Sequence, residues 1–520
     1  MKKLLSLLLA MVMLLAATSA LAEYPIVTEP LTLNVFQYEL ENQEVDFGNL
    51  WFYQELEKKT GIHVEFQEVK DSAWQTQLSL MFTSGEWPDL ILSGDLDVEE
   101  YGVSQEILVP LDDYLEEYMP NYYSRLGMNS AGVALPASDG KMYTIGNLTA
   151  QGVNHDGTFF INQEWLTKLG LEIPTTVDEL TEVLRAFKEG DPNGNGIADE
   201  IPFSAADLIH QTQGVYTHFA MFGVPLTRYA YACIDDAGTV VFPGDMPGFR
   251  AALEWLNLCY SEGLLDPESI TQDSNVWGVK VNEDRVGFTT YLRTLNTAWA
   301  ADIADNYQHI LPPASEYGVS VPRTLEVASN YAAITVANEH IPETLRWLDA
   351  QFETETMMVS YNGPIQEGGP IAPTMKINDA GKYEILSVPE NNGLYEIVPV
   401  YHAQFFAPAD YYSEIYEMPP HRVERFNQAK LYEESGALET YSFNYLTRMV
   451  KLDNEDAIEQ ARLFTEIEKF MQESITAFIT GGVTDENWAS FQATAEAVGV
   501  PEYIELYQKG YDAYLAKTAE

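Results

Sequence analysis

The densest chemistry in this 520-residue chain lies in ten residues, DPNGNGIADE, from Asp191 to Glu200. Asp191, Asn193 and Asn195 set oxygen-bearing side chains at alternate positions 1, 3 and 5, and Gly196 at position 6 permits a sharp turn. Ile197 then offers its backbone carbonyl at position 7. Hard oxygen donors in this rhythm open an EF-hand-type calcium loop. The usual glutamate at position 12 is missing, because Pro202 stands there. Asp199 and Glu200 are the available substitutes, and Glu200 can offer both carboxylate oxygens. The competing reading is a metal-free turn, since Asp-Pro and Asn-Gly steps bend chains unaided. Two Asn-Gly steps and five oxygen-bearing side chains within ten residues favour the ion. Ligands drawn from one loop suit a structural staple rather than an open catalytic centre.

The commoner catalytic patterns are missing. The sequence contains no P-loop, G-x-G-x-x-G, G-x-S-x-G or H-E-x-x-H. His155, His210 and His218 are scattered without zinc-site spacing. With 79 Asp and Glu residues, some carboxylate pair falls at glycosidase separation by chance, so counting identifies no dyad. Cys233 and Cys259 are the only cysteines, too far apart in sequence for a C-x-x-C motif. Export permits a disulfide between them, while two buried thiols remain equally open.

The elements that position these residues alternate between strand and helix. LTLNVF (31–36) reads as a strand, WFYQELEKKTG (Trp51 to Gly61) as a helix with a glycine cap, and IHVEFQEV as a second strand. A helix from about Ser72 to Thr83 and the apolar strand in PDLILS complete a β-α-β-α-β order, which implies parallel strands with right-handed crossovers. Such sheets bind ligands beyond the strand carboxyl ends. Past residue 150, FFINQEWLTKLGL contains a helix, and Thr175 or Thr176 caps another that runs to about Lys188. Further helices are expected at 246–262, 341–357 and 453–479, with strands at 285–291 and 330–337.

The first 22 residues are a targeting segment: Lys2 and Lys3, an apolar run, then Ala20-Leu21-Ala22, which places the mature start at Glu23. Losing both lysines takes the formal charge from −51 to −53. This charge repels nucleic acid and anionic membrane surfaces. A composition that is 46% hydrophobic and 12% aromatic nevertheless supplies a folded core.

Several strings resemble extracellular solute-binding proteins of ABC importers, in the sugar-binding group that includes LplA-type lipoproteins and alginate-binding proteins. They are TGIHVEFQEV, LSLMFTSGEWPDLIL, DGKMYTI, EGLLDPES, FITGGVTDENWASF and YIELYQKGYDAY. The most specific runs from Ile161 to Phe203 and contains the Asp191–Glu200 loop. The resemblance implies a two-lobed α/β fold, each lobe a mostly parallel sheet flanked by helices, closing on ligand about a hinge. One lobe is expected from 23–145 plus about 310–375. The other is expected from about 146–309 plus 376–520 and holds the calcium loop, away from the sugar. The resemblance further implies a monomer that delivers an oligosaccharide or other small molecule to ABC permease subunits. Many relatives carry a lipid-bearing cysteine at the mature start, where this chain has Glu23, so an extracellular or periplasmic protein without that anchor is expected.

A sugar needs aromatic platforms ringed by hydroxyl-binding groups. Tyr38 and Asp95 follow predicted strands, at the ends that face ligand. Trp74, Trp277, Trp299 and Tyr361 sit near loops or helix starts. Asn362 and Arg422 are donors for hydroxyls, and Arg422 for a carboxylate. Core packing competes with function at each of these, because ordinary cores absorb much aromatic area. The expected function is non-catalytic capture of an oligosaccharide. A receptor for a peptide or metabolite, and a secreted calcium-stabilised polysaccharide-degrading enzyme, are the alternatives.

Overall fold

The structure is a computed structural model. It describes residues 24–518 apart from 42–43, 93–95, 127–135, 148–153, 156–157, 211–213, 227–229, 236, 292–300, 325–328, 366–370, 387–393, 395, 400–413, 418–426, 428–429, 438–451 and 453. The chain divides into two compact units, Met1–Ala150 with Val327–Glu417, and Gln151–Glu326 with Met418–Glu520. The first crossing lies at Ala150/Gln151, against the expected 145/146. The later two come after the expected 310 and 375. Residues past 310 are still tied to the second unit, through Ser315 N–H to Met221 O and Val321 N–H to Ala437 O. The segment after 375 forms a small three-stranded sheet (Met375–Ile377, Tyr383–Ile385, Tyr416–Glu417) within the first unit.

Along the chain, the first stretch contains β1 (Leu31–Glu39), α1 (Trp51–Thr60), β2 (Ile62–Lys70), α2 (Trp74–Ser84), β3 (Leu90–Leu92) and β4 (Ile145–Asn147). The second contains β5 (Thr158–Asn162), α3 (Gln163–Leu169), α4 (Val177–Glu189), β6 (Ile201–Phe203), α5 (Pro247–Ser261), α6 (Ser274–Asn282), β7 (Val286–Tyr291) and β8 (Tyr307–Ile310). Then follow β9 (Ser329–Ile334), α7 (Ile341–Asp349), α8 (Thr354–Asn362), α9 (Asn454–Gly481), α10 (Asp485–Ala497) and α11 (Val500–Thr518).

The first unit is built on a sheet ordered β2-β1-β3-β9-β4. β1 runs parallel to β2 (Leu33↔Val64) and β3 (Phe36↔Ile91), as the β-α-β-α-β reading requires. β9 is antiparallel to β3 and β4. The carboxyl ends of β1 to β4 and the start of β9 therefore share one rim. α1 buries Phe52, Tyr53, Leu56 and Thr60 at helical spacing and stops at Gly61, whose φ of 80° places its N–H on Glu57 O. A Cβ there would lie 2.8 Å from Val27 O, so glycine is demanded twice. The single helix expected over 341–357 is two, α7 and α8. Asp349 ends the first, and its carboxylate accepts from Asn121 N–H (3.3 Å), Asn121 Nδ2 (2.8 Å) and Tyr122 N–H (3.0 Å), capping the helix Pro120–Leu126.

The second unit has a sheet ordered β8-β5-β7-β6, in which β5 opposes β7 and β8 while β7 and β6 run parallel. The start of β5, where the chain arrives from the first unit, lies on the same rim as the carboxyl ends of β6, β7 and β8. Thr176 is the N-cap of α4, in a reciprocal box with Glu179. α9, α10 and α11 close over α5, where Phe249, Leu253 and Leu256 join Ile467, Phe470, Phe491 and Tyr503 in one buried cluster. Cys233 and Cys259 are both buried thiols, with no disulfide between them. Among the described residues no helix is long and apolar enough to cross a membrane.

Candidate functional site

The Asp191–Glu200 loop hangs between α4 and the first residue of β6, at the end of the sheet opposite the crossing rim. Asp191 accepts from two backbone N–H groups ahead of it, Gly194 through Oδ1 and Gly196 through Oδ2, each 3.0 Å. Asn193 Oδ1 accepts from Asn195 N–H (3.0 Å), and Asn195 Oδ1 from Ile197 N–H (2.6 Å). Gly194 and Gly196 take φ of 77° and 76°, the left-handed region that a side chain would resist. The amides of Asn193 and Asn195 both donate to Asp199 Oδ1, at 3.2 and 3.0 Å. The loop thus draws positions 3 and 5 onto Asp199.

Glu200 tests whether this loop fits an ion. Both its carboxylate oxygens are sealed from solvent and make no hydrogen bond of ordinary geometry. Burial pushes its pKa up, and the charges of Asp191 and Asp199 push the same way. Asp199 shifts oppositely: the Asn195 amide, then Asn193 and the Arg285 charge, hold it below the usual carboxylate range. A carboxylate with both oxygens sealed beside two other acids pays a desolvation and repulsion penalty, which a bound cation would offset. Among the described residues no three His, Cys, Asp or Glu side chains close up as a metal cluster. An amide-rich loop need not show one, because Asn193, Asn195 and the Ile197 carbonyl supply half its donors. The donors are all hard oxygens and so fit a calcium-like cation.

The crossing rims carry the aromatics. In the first unit Tyr38, next to last in β1, meets Trp74 edge-on at 5.4 Å, and Phe36 packs on the same indole at 5.2 Å. Trp74 is only 2% exposed, so it forms the floor beneath the half-buried Tyr38. Beside them Glu39 Oε1 accepts from Val45 N–H (2.8 Å) and pairs with Lys70 Nζ (2.8 Å) at the end of β2. Gln37 donates to Tyr38 O (2.7 Å).

In the second unit Trp277 of α6 stacks on Tyr291, the last residue of β7, at 5.1 Å and 24°. Trp277 is 1% exposed and packs among Phe160, Val281 and Val286, leaving half-buried Tyr291 as the outer ring. A buried polar network fixes α6 to this rim. Lys280 Nζ donates to Asp266 Oδ2 (2.7 Å), Glu268 Oε2 (2.6 Å) and Gln272 Oε1 (2.7 Å), while Ser204 Oγ donates to Asp266 Oδ2 (2.8 Å). With the amine fully satisfied, the network rigidifies rather than strains the unit.

The remaining residues expected from sequence fall elsewhere. Asn362 is buried and closes α8: its Nδ2 donates to Met358 O and its carbonyl accepts from Thr374 Oγ1. Tyr361 is half-buried on that turn. Asp95, Trp299 and Arg422 lie outside the described residues. Sequence reasoning missed Glu39, Lys70, Tyr291 and the Lys280 network. The strand-end position that pointed to Tyr38 points equally to Tyr291.

The sequence profile of bacterial extracellular solute-binding proteins matches residues 43–358, more than half of the chain. The fructooligosaccharide ABC transporter substrate-binding protein FusA of Streptococcus pneumoniae is 26% identical over 488 residues, covering 89% of this chain and 87% of that protein. FusA in complex with kestose superposes with a TM-score of 0.75 over 94% of this chain and all of that one, at 24% identity; an EF-hand mutant of FusA matches equally well. An extracellular solute-binding protein of Bifidobacterium longum subsp. infantis reaches a TM-score of 0.80 at 21% identity, over 93% of this chain and 98% of that one. The alginate-binding protein AlgQ2, solved without calcium ion, reaches 0.65 at 24% identity, over 94% and 99%. With the profile spanning both units, the chain belongs to the family of bacterial extracellular solute-binding proteins.

Proposed function

We propose that this protein is the substrate-binding component of an ABC importer, which captures an oligosaccharide outside the cytoplasm and passes it unaltered to the permease. The observation that carries the proposal is the repeated rim. Each unit sets an aromatic pair, Tyr38 over Trp74 and Tyr291 against Trp277, at the strand ends where the chain crosses between units. Aromatic faces take up the apolar C–H faces of sugar rings, and the neighbouring polar groups suit hydroxyls. The outer tyrosines are the stacking surfaces in this reading, with the tryptophans as their support. Asp95, Trp299, Tyr361 and Arg422 are proposed as further ligand contacts, whereas Asn362, buried with its amide on Met358 O, is not. The relative FusA, named for fructooligosaccharide, supports an oligosaccharide over a peptide.

Calcium is the proposed structural cofactor, held by Asp191, Asn193, Asn195, the Ile197 carbonyl, Asp199 and Glu200. Bound there, it would supply positive charge to the loop and no chemistry at the distant aromatic rim. Cleavage after Ala22 and export from the cytoplasm complete the reading. Calorimetry against fructo-oligosaccharides, other oligosaccharides and short peptides tests it. Saturable binding of an oligosaccharide is expected, and binding of peptides alone would sink the sugar assignment.

A further inference from the structure

The ion loop contains three carboxylates, Asp191, Asp199 and Glu200, and among the described residues the protein meets them with one cation of its own. Arg285, just before β7, is the only basic side chain paired with the loop among the described residues. Its Nε lies 3.3 Å from the Asp199 carbonyl oxygen and 3.4 Å from Asp199 Oδ2. Its other edge pairs NH1 with Glu283 Oε2 at 3.3 Å. The main chain of Arg285 is equally committed. Its carbonyl accepts from Ile201 N–H (2.7 Å), where the loop becomes β6, and its N–H donates to Lys280 O (3.1 Å) at the end of α6. The guanidinium is therefore anchored beside the loop by a backbone that cannot drift away from it.

We infer that Arg285 is the resident counter-charge of the ion loop, a positioning residue that keeps the loop folded when no cation is bound and weakens cation affinity when one is. The inference rests on the calcium reading above. Arg285 holds the Oδ2 side of Asp199 while the two asparagine amides hold Oδ1, so without an ion Asp199 stays seated across the turn. The same positive charge repels a divalent cation arriving at the loop. A unit charge several ångströms from a divalent ion in a water-like dielectric changes affinity by roughly three- to tenfold. Arg285 thus exchanges affinity for a loop that survives ion loss.

The full-length mature chain tests this with calcium chloride as the probe, using Arg285→Gln and the charge-retaining Arg285→Lys. In EGTA, Arg285→Gln should lower Tm by about 3 °C, and saturating calcium should restore most of that loss. Titration calorimetry should show calcium bound three- to tenfold more tightly by Arg285→Gln, with Arg285→Lys close to the unaltered chain. Glu283→Gln, which frees the guanidinium for Asp199, should shift affinity the other way. An equal Tm loss with and without calcium would make Arg285 a plain brace and overturn the inference. Weaker calcium binding in Arg285→Gln would overturn it too, by making Arg285 an aid to the ligands. If the unaltered chain binds no calcium, the ion reading and this inference fall together; if it binds calcium and Arg285→Gln binds it identically, only the inference falls.

Discussion

Glu200 keeps two sealed oxygens without a hydrogen bond of ordinary geometry, so in the proposed reading its charge is a liability that a bound ion would convert into an anchor. Glu200→Gln should therefore cancel the calcium-induced rise in Tm while leaving the EGTA-treated protein no less stable than the unaltered chain. Scanning calorimetry in both buffers checks this. His218 is a second residue whose burial has a measurable consequence. Its Nδ1 donates to Gly214 O at 2.9 Å, and its Nε2 is enclosed against the rings of Phe159, Phe203 and Phe288. Burial pulls its pKa down to about 4. An unfolded histidine takes up a proton near pH 6.5, whereas the native one resists until about pH 4, so stability falls as pH drops through that window and levels off below it. The full effect is on the order of 3 kcal/mol. His218→Phe should remove it, seen as a smaller loss of unfolding free energy between pH 7 and pH 4 than in the unaltered chain.

At the scale of elements, local signals were legible and tertiary choices were not. The Thr176 cap, the Gly61 stop and the oxygen rhythm of Asp191–Glu200 are each complete within a few residues, so sequence alone exposes them. Thr176→Ala should cost about 1 kcal/mol in urea unfolding, the usual value of an N-cap. The break between α7 and α8 was not visible, because Asp349 ends α7 while serving a helix more than two hundred residues earlier in the chain. Nor could composition separate the tryptophan floors from the tyrosine surfaces at the rims, since burial alone distinguishes them. Gly248 shows the same limit. Nothing in PGFRAAL marks it, yet a Cβ there would sit 1.9 Å from Phe222 O, a backbone atom that cannot swing aside. Gly248→Ala should destabilise the second unit by about 2 kcal/mol or more, measurable as a lowered urea midpoint with an unchanged m-value.

For the molecule as a whole, the charge of −51 spreads over two α/β units and excludes partners more clearly than it selects one. The proposal assigns selection to the aromatic rim of each unit, so Tyr38→Ala and Tyr291→Ala should each weaken oligosaccharide binding by about tenfold, the equivalent of 1.4 kcal/mol. The two-unit division was legible because the β-α-β pattern and the long family-like string are continuous. The return points were not, because they depend on which unit holds residues 311–321 and 375–417. The most direct test of the central claim is titration calorimetry of the calcium-supplemented protein with a series of oligosaccharides that includes kestose, followed by chromatography of the recovered sugar. Saturable one-to-one binding of at least one oligosaccharide, recovered intact, is the expected result. No binding across the series, or recovered sugar shortened with new reducing ends, would contradict a non-catalytic oligosaccharide receptor.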